Sequence, residues 1–235
     1  MDEDFDVMSL AAYLHLTPEQ IRKMASRDRL PGRRVGGKWR FSRAEIHQWF
    51  EEKIGASDEQ GLTEVERVLY RSSGDTASEE PRISELLLPE TTYVPLMART
   101  KSSVIKNICD LTSETGRLWD PVKMAEALVS REELHPTALG NGVALLHPRR
   151  PLPSIMGEPF LALGITTSGI PFGGPRGCLT DVFFLIGSTS EAVHLKVLAR
   201  LSRMIQQSDW LAELRETESS ADAWQIINDG DTSLD

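Results

Sequence analysis

The sequence predicts two domains of different class: a small helical domain carrying a β-hairpin, then a larger α/β domain whose sheet is flanked by helices. Three observations carry this. From Arg22 to Arg43 nine Lys/Arg stand against one acidic residue, Asp28, although the net charge of the chain is −9. Residues 55 to 80 are acidic and rich in Gly and Ser, the composition of a flexible spacer. Beyond residue 81, helical periodicity alternates with short apolar runs bounded by Gly and Pro. The expected division is therefore 1–54, a linker 55–80, and 81–235.

Composition excludes several classes. The 235 residues are 40% hydrophobic and 26% charged, with no apolar run near the ~20 residues a membrane helix needs. The start, MDEDFDV, is acidic where a signal peptide is basic. Cys109 and Cys178 lie far apart with no C-x-x-C pattern, so both are expected reduced, in a cytoplasmic protein. No cofactor is expected, and no metal, because His135, His147 and His194 show no local ligand spacing.

In the first domain Ser9 is the expected cap of a short helix with Leu10, Ala11 and Leu14 inside. Thr17-Pro18-Glu19-Gln20 is a capping box with proline at the first helical position, opening a helix to about Arg27. Ile21, Met24 and Ala25 form its inner stripe, while Gln20, Arg22, Lys23 and Arg27 point out. His15 falls in the turn between these two helices. Gly36-Gly37 then reads as a two-residue hairpin turn. Its arms alternate Arg33, Arg34, Lys38 and Arg40 with Val35, Trp39 and Phe41, so one face is expected cationic and the other apolar. Ser42 opens a third helix with Ile46, Trp49 and Phe50 inside. A helix-turn-helix with a basic wing is built to read DNA: the outer helix face enters the major groove and the wing follows phosphates.

Residues 8–53 resemble the excisionase-type, MerR-like winged helix-turn-helix. The likeness rests on Leu10-Ala11-Ala12-Tyr13-Leu14, Thr17 to Lys23, Leu30 to Phe41, and Ile46-x-x-Trp49. The family usually has glycine where His15 stands. The resemblance implies duplex DNA as partner, with Gln20, Arg22, Lys23, Arg27, Arg33, Arg34, Lys38 and Arg40 as contacts. In the linker, Thr63-Glu64-Val65-Glu66 is a capping box, and Leu62, Val65, Val68 and Leu69 recur at helical spacing. A short helix there offers a homodimer contact, though helices of this length are weak alone.

The second domain opens with a short helix at 84–87. Ser102 or Ser103 is expected to cap a helix with Val104, Ile105, Ile108 and Leu111 inside. Asp120-Pro121 opens another with Val122, Ala125, Leu128 and Val129 inside, and 131–136 reads as a charged loop. Gly140-Asn141-Gly142 is a tight turn before Val143 to Leu146, a buried strand that Pro148 stops. His147 therefore ends a buried strand, a rigid mount for a nucleophile or ligand. Strands at 160–166 and 182–187 follow. Next come a helix capped by Thr189 or Ser190 and running to about Gln206, and two closing helices at 210–214 and 221–227.

This order resembles the type-2 IIA domain of the bacterial sugar phosphotransferase system, of the fructose, mannitol and nitrogen-related kinds. Residues 82–229 carry it through Ile83-x-x-Leu86-Leu87, Lys101-x-x-Val104-Ile105, Ser130-Arg131-Glu132-Glu133, Leu139 to His147, Ile170-Pro171-Phe172, Val182 to Ile186 and His194-Leu195-Lys196-x-Leu198. The resemblance implies a mixed sheet flanked by helices. It also implies a phosphoryl carrier: His147 would accept phosphate from the phosphocarrier HPr and pass it to a IIB domain, assisted by His194 and Arg131. The family usually has proline where Leu146 stands, and Pro148-Arg149-Arg150 also differ from the usual residues. These departures bear on docking more than on fold.

The chemistry suits the residue types. Imidazole is nucleophilic at neutral pH, the phosphoramidate it forms is labile, and the guanidinium of Arg131 offers a fork of donors to phosphoryl oxygens. His194 in a first helical turn would stand beside backbone amides that attract anions. The expected function is a DNA-binding transcriptional regulator that senses phosphotransferase status through phosphohistidine. The alternatives are a IIA component of sugar uptake or a phosphorelay without DNA regulation, and a IIA domain kept only for protein contacts. A further expectation is coupling between the domains: Arg33, Arg34, Lys38 and Arg40 pair with phospho-His147 and mask the wing, or phosphorylation instead releases an existing contact.

Overall fold

The computed structural model describes residues 4–14, 16–43, 45, 46, 48, 49 and 82–234. His15, Phe50 and the 62–69 segment, on which expectations were placed, lie outside the described residues. The chain divides into two compact units, 1–79 and 80–235.

In the first unit, α1 (Val7–Tyr13) and α2 (Pro18–Ala25) precede β1 (Arg33–Val35) and β2 (Lys38–Arg40). Residues 43, 45, 46, 48 and 49 are again helical. Ser9 is not the cap of α1 but the third residue of a capping box whose N-cap is Asp6. The Ser9 amide, donating to Asp6, holds that carboxyl below its ordinary range. At α2 the expected box is present, Thr17 accepting from the Gln20 amide and Gln20 Oε1 accepting from the Thr17 amide. Gly36 and Gly37 take φ of +59° and +77°, as a primed hairpin turn requires. Phe5 pairs with Phe41 backbone to backbone, tying the segment before α1 to the end of the wing. Leu10, Leu14, Ile21, Leu30, Phe41 and Ile46 are fully enclosed. Burial of each contributes about 1.5–3 kcal/mol before conformational entropy is set against it.

The second unit begins with α3 (Ile83–Leu86), β3 (Leu87–Tyr93), α4 (Lys101–Glu114), α5 (Pro121–Leu134) and β4 (Val143–Leu146). It continues with β5 (Phe160–Pro171), β6 (Leu179–Gly187), α6 (Glu191–Gln206), α7 (Ser208–Arg215) and α8 (Ser220–Thr232). The sheet order is β3-β5-β6-β4: β3 parallel to β5, β5 antiparallel to β6, β6 parallel to β4. It is the expected mixed sheet flanked by helices. Ala144, Leu146, Ala162, Phe183 and Leu185 face a core shared with Val104 and Ile108 of α4 and Met124 and Leu128 of α5. The alternate residues, Val143, Leu145, Val182, Phe184 and Ile186, face the other way, where α6 packs on β6.

Several boundaries differ from expectation. β3 was not anticipated, because Pro89 and Glu90 interrupt it and its pairing with β5 shifts between Leu87 and Thr92. Thr100, not Ser102 or Ser103, caps α4, with Ser103 completing the box. α5 runs on through Leu134, so Arg131 and Glu132 are helical rather than in a loop. Its inner face is Met124, Leu128, Arg131 and Glu132, while Val122, expected inside, is 65% exposed. Ser190 caps α6. Burial pushes the Cys109 thiol up to about 12, so it stays protonated and inert at neutral pH.

The Gly140-Asn141-Gly142 turn is a structural anchor at the start of β4. Asn141 Nδ2 donates to the Ile205 carbonyl near the end of α6 at 3.0 Å, and the Arg215 guanidinium donates to the Asn141 carbonyl. Arg215 Nε also lies 3.0 Å from both carboxylate oxygens of Asp181, whose amide donates to the Gly142 carbonyl. Gly142 has φ of +83°, and a Cβ there would stand 2.5 Å from Arg215 Nη2. Gly140 has ordinary φ, and its nearest neighbour would be Pro175 Cγ at 3.5 Å. Gly142→Ala is therefore expected to lower unfolding free energy by about 2–4 kcal/mol, through left-handed strain and a displaced Arg215, and Gly140→Ala by less than about 1 kcal/mol. Denaturant titrations of the two variants compare the effects directly; equal losses would contradict this account of the turn.

Candidate functional site

His147 is the first residue past β4. The period of two puts it on the face of Val143 and Leu145, the side on which α6 lies. Its main chain is held by pairing that runs to Leu146 opposite Leu185. The ring is 4% exposed, and Nδ1 lies 2.8 Å from the Leu145 carbonyl oxygen. A carbonyl only accepts, so Nδ1 donates to it. In the neutral ring the lone pair is then on Nε2, which is buried.

β6 runs parallel to β4, so both C-terminal ends arrive together, and Ser188-Thr189-Ser190 leads directly into α6. The helix therefore begins at the His147 end of the sheet, and His194 in its first turns meets His147. The two ring centroids are 4.8 Å apart, tilted by 53°, and His194 is also 4% exposed. The first turn is less open to anions than the sequence suggested. Ser190 Oγ accepts the Val193 amide, the His194 amide donates to the Ser190 carbonyl, and Glu191 places a carboxylate in that turn.

Arg131 lies in the last turn of α5, which leads into the segment beside β4. The Leu145 amide donates to the Thr137 carbonyl, and Ala138 bridges Ala144 in antiparallel sense. That pairing lays the segment after α5 alongside β4. Arg131 is 9% exposed, and its Nη1 donates to the His135 carbonyl at 2.7 Å, closing the helix. The structure thus brings His147 and His194 together, while Arg131 lies in the last turn of α5 and donates to main chain there. His135 is exposed.

Sequence reasoning missed Glu132, the buried neighbour of Arg131. Its carboxylate accepts the Thr137 amide at 3.0 Å, the Thr137 hydroxyl, and Lys101 Nζ at 2.7 Å, while Lys101 sits 4.9 Å from the Phe172 ring centroid. This network fastens α4, α5 and the segment before β4 to one another. The signal was present: from Met124 and Leu128, helical spacing leads inward to Arg131 and Glu132. Their charge disguised it.

The expected DNA contacts fall into two sets. Gln20, Arg22, Lys23 and Arg27 are exposed on or just after α2, although Gln20 Oε1 is engaged in the cap. On the wing the cross-strand pairs are Arg33 with Arg40, Arg34 with Trp39 and Val35 with Lys38. Arg33, Val35, Lys38 and Arg40 therefore share one face, and Arg34, Trp39 and Phe41 the other. The expected clean separation of cationic and apolar faces is corrected: Val35, 54% exposed, sits among the cations, and Arg34 lies over the Trp39 ring at 5.0 Å. Arg33 pairs with Asp4 at 2.6 Å; Lys38 is exposed and Arg40 half-buried.

Comparison with known proteins finds relatives for both units. A family model for the phosphoenolpyruvate-dependent sugar phosphotransferase system, EIIA 2, matches residues 85–230, and one for a helix-turn-helix domain matches 7–54. The Bacillus subtilis fructose-specific EIIABC component is 29% identical over 152 residues, 64% of this chain but only 24% of that protein. A Pseudomonas aeruginosa nitrogen regulatory protein is 27% identical over 150 residues, covering 63% of this chain and 96% of its own. Among solved structures, the Neisseria meningitidis nitrogen regulatory protein IIA-Ntr superposes with a TM-score of 0.56 at 22% identity, over 62% of this chain and 98% of that one. Escherichia coli mannitol IIA, solved in complex with phosphorylated IIB, gives 0.53 at 18% identity over 61% and 99%. With its second unit matched almost end to end and a helix-turn-helix domain fused ahead of it, the chain belongs to the EIIA 2 family of the phosphoenolpyruvate-dependent sugar phosphotransferase system.

Proposed function

We propose that this protein is a DNA-binding transcriptional regulator whose second domain accepts a phosphoryl group from phospho-HPr on Nε2 of His147. The observation that carries the reading is the Nδ1 contact with the Leu145 carbonyl, which leaves Nε2 as the nucleophile beside His194. In the proposed step the Nε2 lone pair bonds to phosphorus in line with the donor's P–N bond. That bond breaks, and its electron pair returns to the donor imidazole. The Leu145 carbonyl offsets the positive charge that grows on the ring as the bond forms. His194 and Arg131 act as donors to the phosphoryl oxygens once docking frees them. Burial of both Nε2 atoms shields the labile phosphoramidate from water between transfers.

Duplex DNA is the proposed partner of the first domain because exposed cations line both the outer face of α2 and the wing. The second reading, a transport or phosphorelay component that passes phosphate to a IIB domain, is favoured by the likeness to mannitol IIA solved with phosphorylated IIB. The described residues include no helix long and apolar enough to cross a membrane.

Incubation with phosphoenolpyruvate, enzyme I and HPr is expected to place acid-labile phosphate on the wild-type chain and none on a folded His147→Ala chain. Arg131→Ala or His194→Ala should slow transfer by roughly 100-fold while leaving the acceptor in place. Phosphate mapped to His135 or His194 in the wild type would overturn the assignment.

For DNA, the affinity of the full chain should fall steeply as salt rises. Joint Arg33→Ala and Arg34→Ala should weaken binding to all sequences alike and reduce the salt slope by about 1 for each phosphate no longer neutralised. Lys23→Ala should instead change sequence preference. Absence of any mobility shift with genomic fragments at low salt would contradict the regulator reading.

A further inference from the structure

The segment before α1 reads Asp2-Glu3-Asp4-Phe5-Asp6, acidic at every position but one, in a domain otherwise marked by its basic stretch. Phe5 and Phe41 exchange both backbone hydrogen bonds in antiparallel sense, at 2.8 and 2.9 Å, which lays this segment against the end of β2. Directly opposed residues share a face, and both rings are buried. Phe5 is fixed further by the Tyr13 ring, 4.9 Å away between centroids, and by the Arg43 guanidinium 4.1 Å over its ring. The period of two then turns Asp4 and Asp6 to the opposite face, the one that carries Arg33 and Arg40. Asp4 closes on Arg33 at 2.6 Å. The Asp6 carboxyl, lowered first by the Ser9 amide, is lowered further by the Arg40 charge. Asp6 is also occupied as the cap of α1, which leaves Asp4 as the carboxylate that answers the wing.

We propose that Asp4 sets the DNA affinity of the wing by serving as an internal counter-ion of Arg33, one that a backbone phosphate must displace. The inference rests on the reading of the first domain as DNA-binding. A carboxylate and a phosphate make the same kind of charge-assisted hydrogen bond to a guanidinium, so they compete for it. The Arg33 side chain stays 59% exposed and that of Asp4 33%. An ion pair so open to water contributes little to stability, so the contact tunes the wing rather than locking it. Its effect on binding is larger than its effect on folding. A cation already neutralised within the protein releases no counter-ion, net, when it meets a phosphate, and the displaced carboxylate remains close to the backbone charge. Arg34 lies on the other face of the wing, over the Trp39 ring, and is left to contact phosphate in the wild-type chain. Asp4 is thus a positioning residue that acts through Arg33 and does not itself touch DNA.

The test measures binding of the full chain to a labelled, mixed-sequence duplex of about 30 base pairs across a salt series. The chains are wild type, Asp4→Asn, Asp4→Glu, Arg33→Ala, and Asp4→Asn with Arg33→Ala. Asp4→Asn should bind about 3- to 10-fold more tightly at low salt. Its log affinity should also fall about 1 unit more steeply against log salt, because Arg33 then collects a phosphate. A merely structural role for Asp4 would leave that slope where it is. Asp4→Glu keeps the carboxylate and should behave as wild type. Arg33→Ala should change affinity by less than about 2-fold on its own, yet remove the whole gain when combined with Asp4→Asn. Unchanged or weaker binding by Asp4→Asn, or an unchanged salt slope, would overturn the proposal. So would a gain that persists without Arg33, since Asp4 would then act by repelling phosphates directly. No binding by any of the five chains at low salt would instead remove the DNA reading of the first domain, and this inference with it.

Discussion

Parallel pairing of Val143–Leu146 with Val182–Leu185 is the constraint on which the site depends. It fixes the backbone on both sides of the Leu145 carbonyl, the group that sets the tautomer of His147. It also brings the end of β6, and so the start of α6, to the same edge of the sheet. At the other end of β4, Asn141 holds the last turn of α6 through the Ile205 carbonyl, and Arg215 holds both Asn141 and Asp181. Strand and helix are thus pinned to each other at both ends. That frame brings the two imidazoles to 4.8 Å between ring centroids.

Buried polar chemistry surrounds this frame. Glu132 takes three donors from Lys101 and Thr137, and Asp231 takes Arg200 together with the Ser84 amide and hydroxyl. Each carboxylate joins elements that hydrophobic packing alone leaves free to slide. A buried acid is stable only when paired and hydrogen-bonded, and removing one partner of such a pair typically costs about 3–5 kcal/mol. These ties cross-link the helices and strands of the second unit around the buried His147 and His194.

Legibility in the sequence followed burial symmetry. β4 is buried on both faces and flanked by glycine and proline, so Val143 to Leu146 could be read as a strand and His147 as its exit. β3 escaped because Pro89 and Glu90 break its pattern and an irregularity absorbs them. Arg131 and Glu132 read as loop because charge usually marks solvent, whereas here each finds a specific partner inside. The caps at Asp6 and Thr100 were misplaced by three residues or fewer, since Ser9 and Ser103 occupy the reciprocal position of the same box. On the wing, strict alternation suggested a cleaner division of faces than the register gives, because Val35 pairs with Lys38 and Arg34 with Trp39.

The central claim is that the Leu145 carbonyl holds His147 as the Nδ1-protonated tautomer, leaving Nε2 to take the phosphoryl group. Nitrogen-15 NMR of the labelled imidazole, before and after phosphorylation, tests it most directly. The account predicts a pyrrole-type Nδ1 and a pyridine-type Nε2 in the free protein at neutral pH, with phosphorus coupling to Nε2 once the group is transferred. A protonated Nε2 in the free protein, or phosphorus coupled to Nδ1, would contradict it.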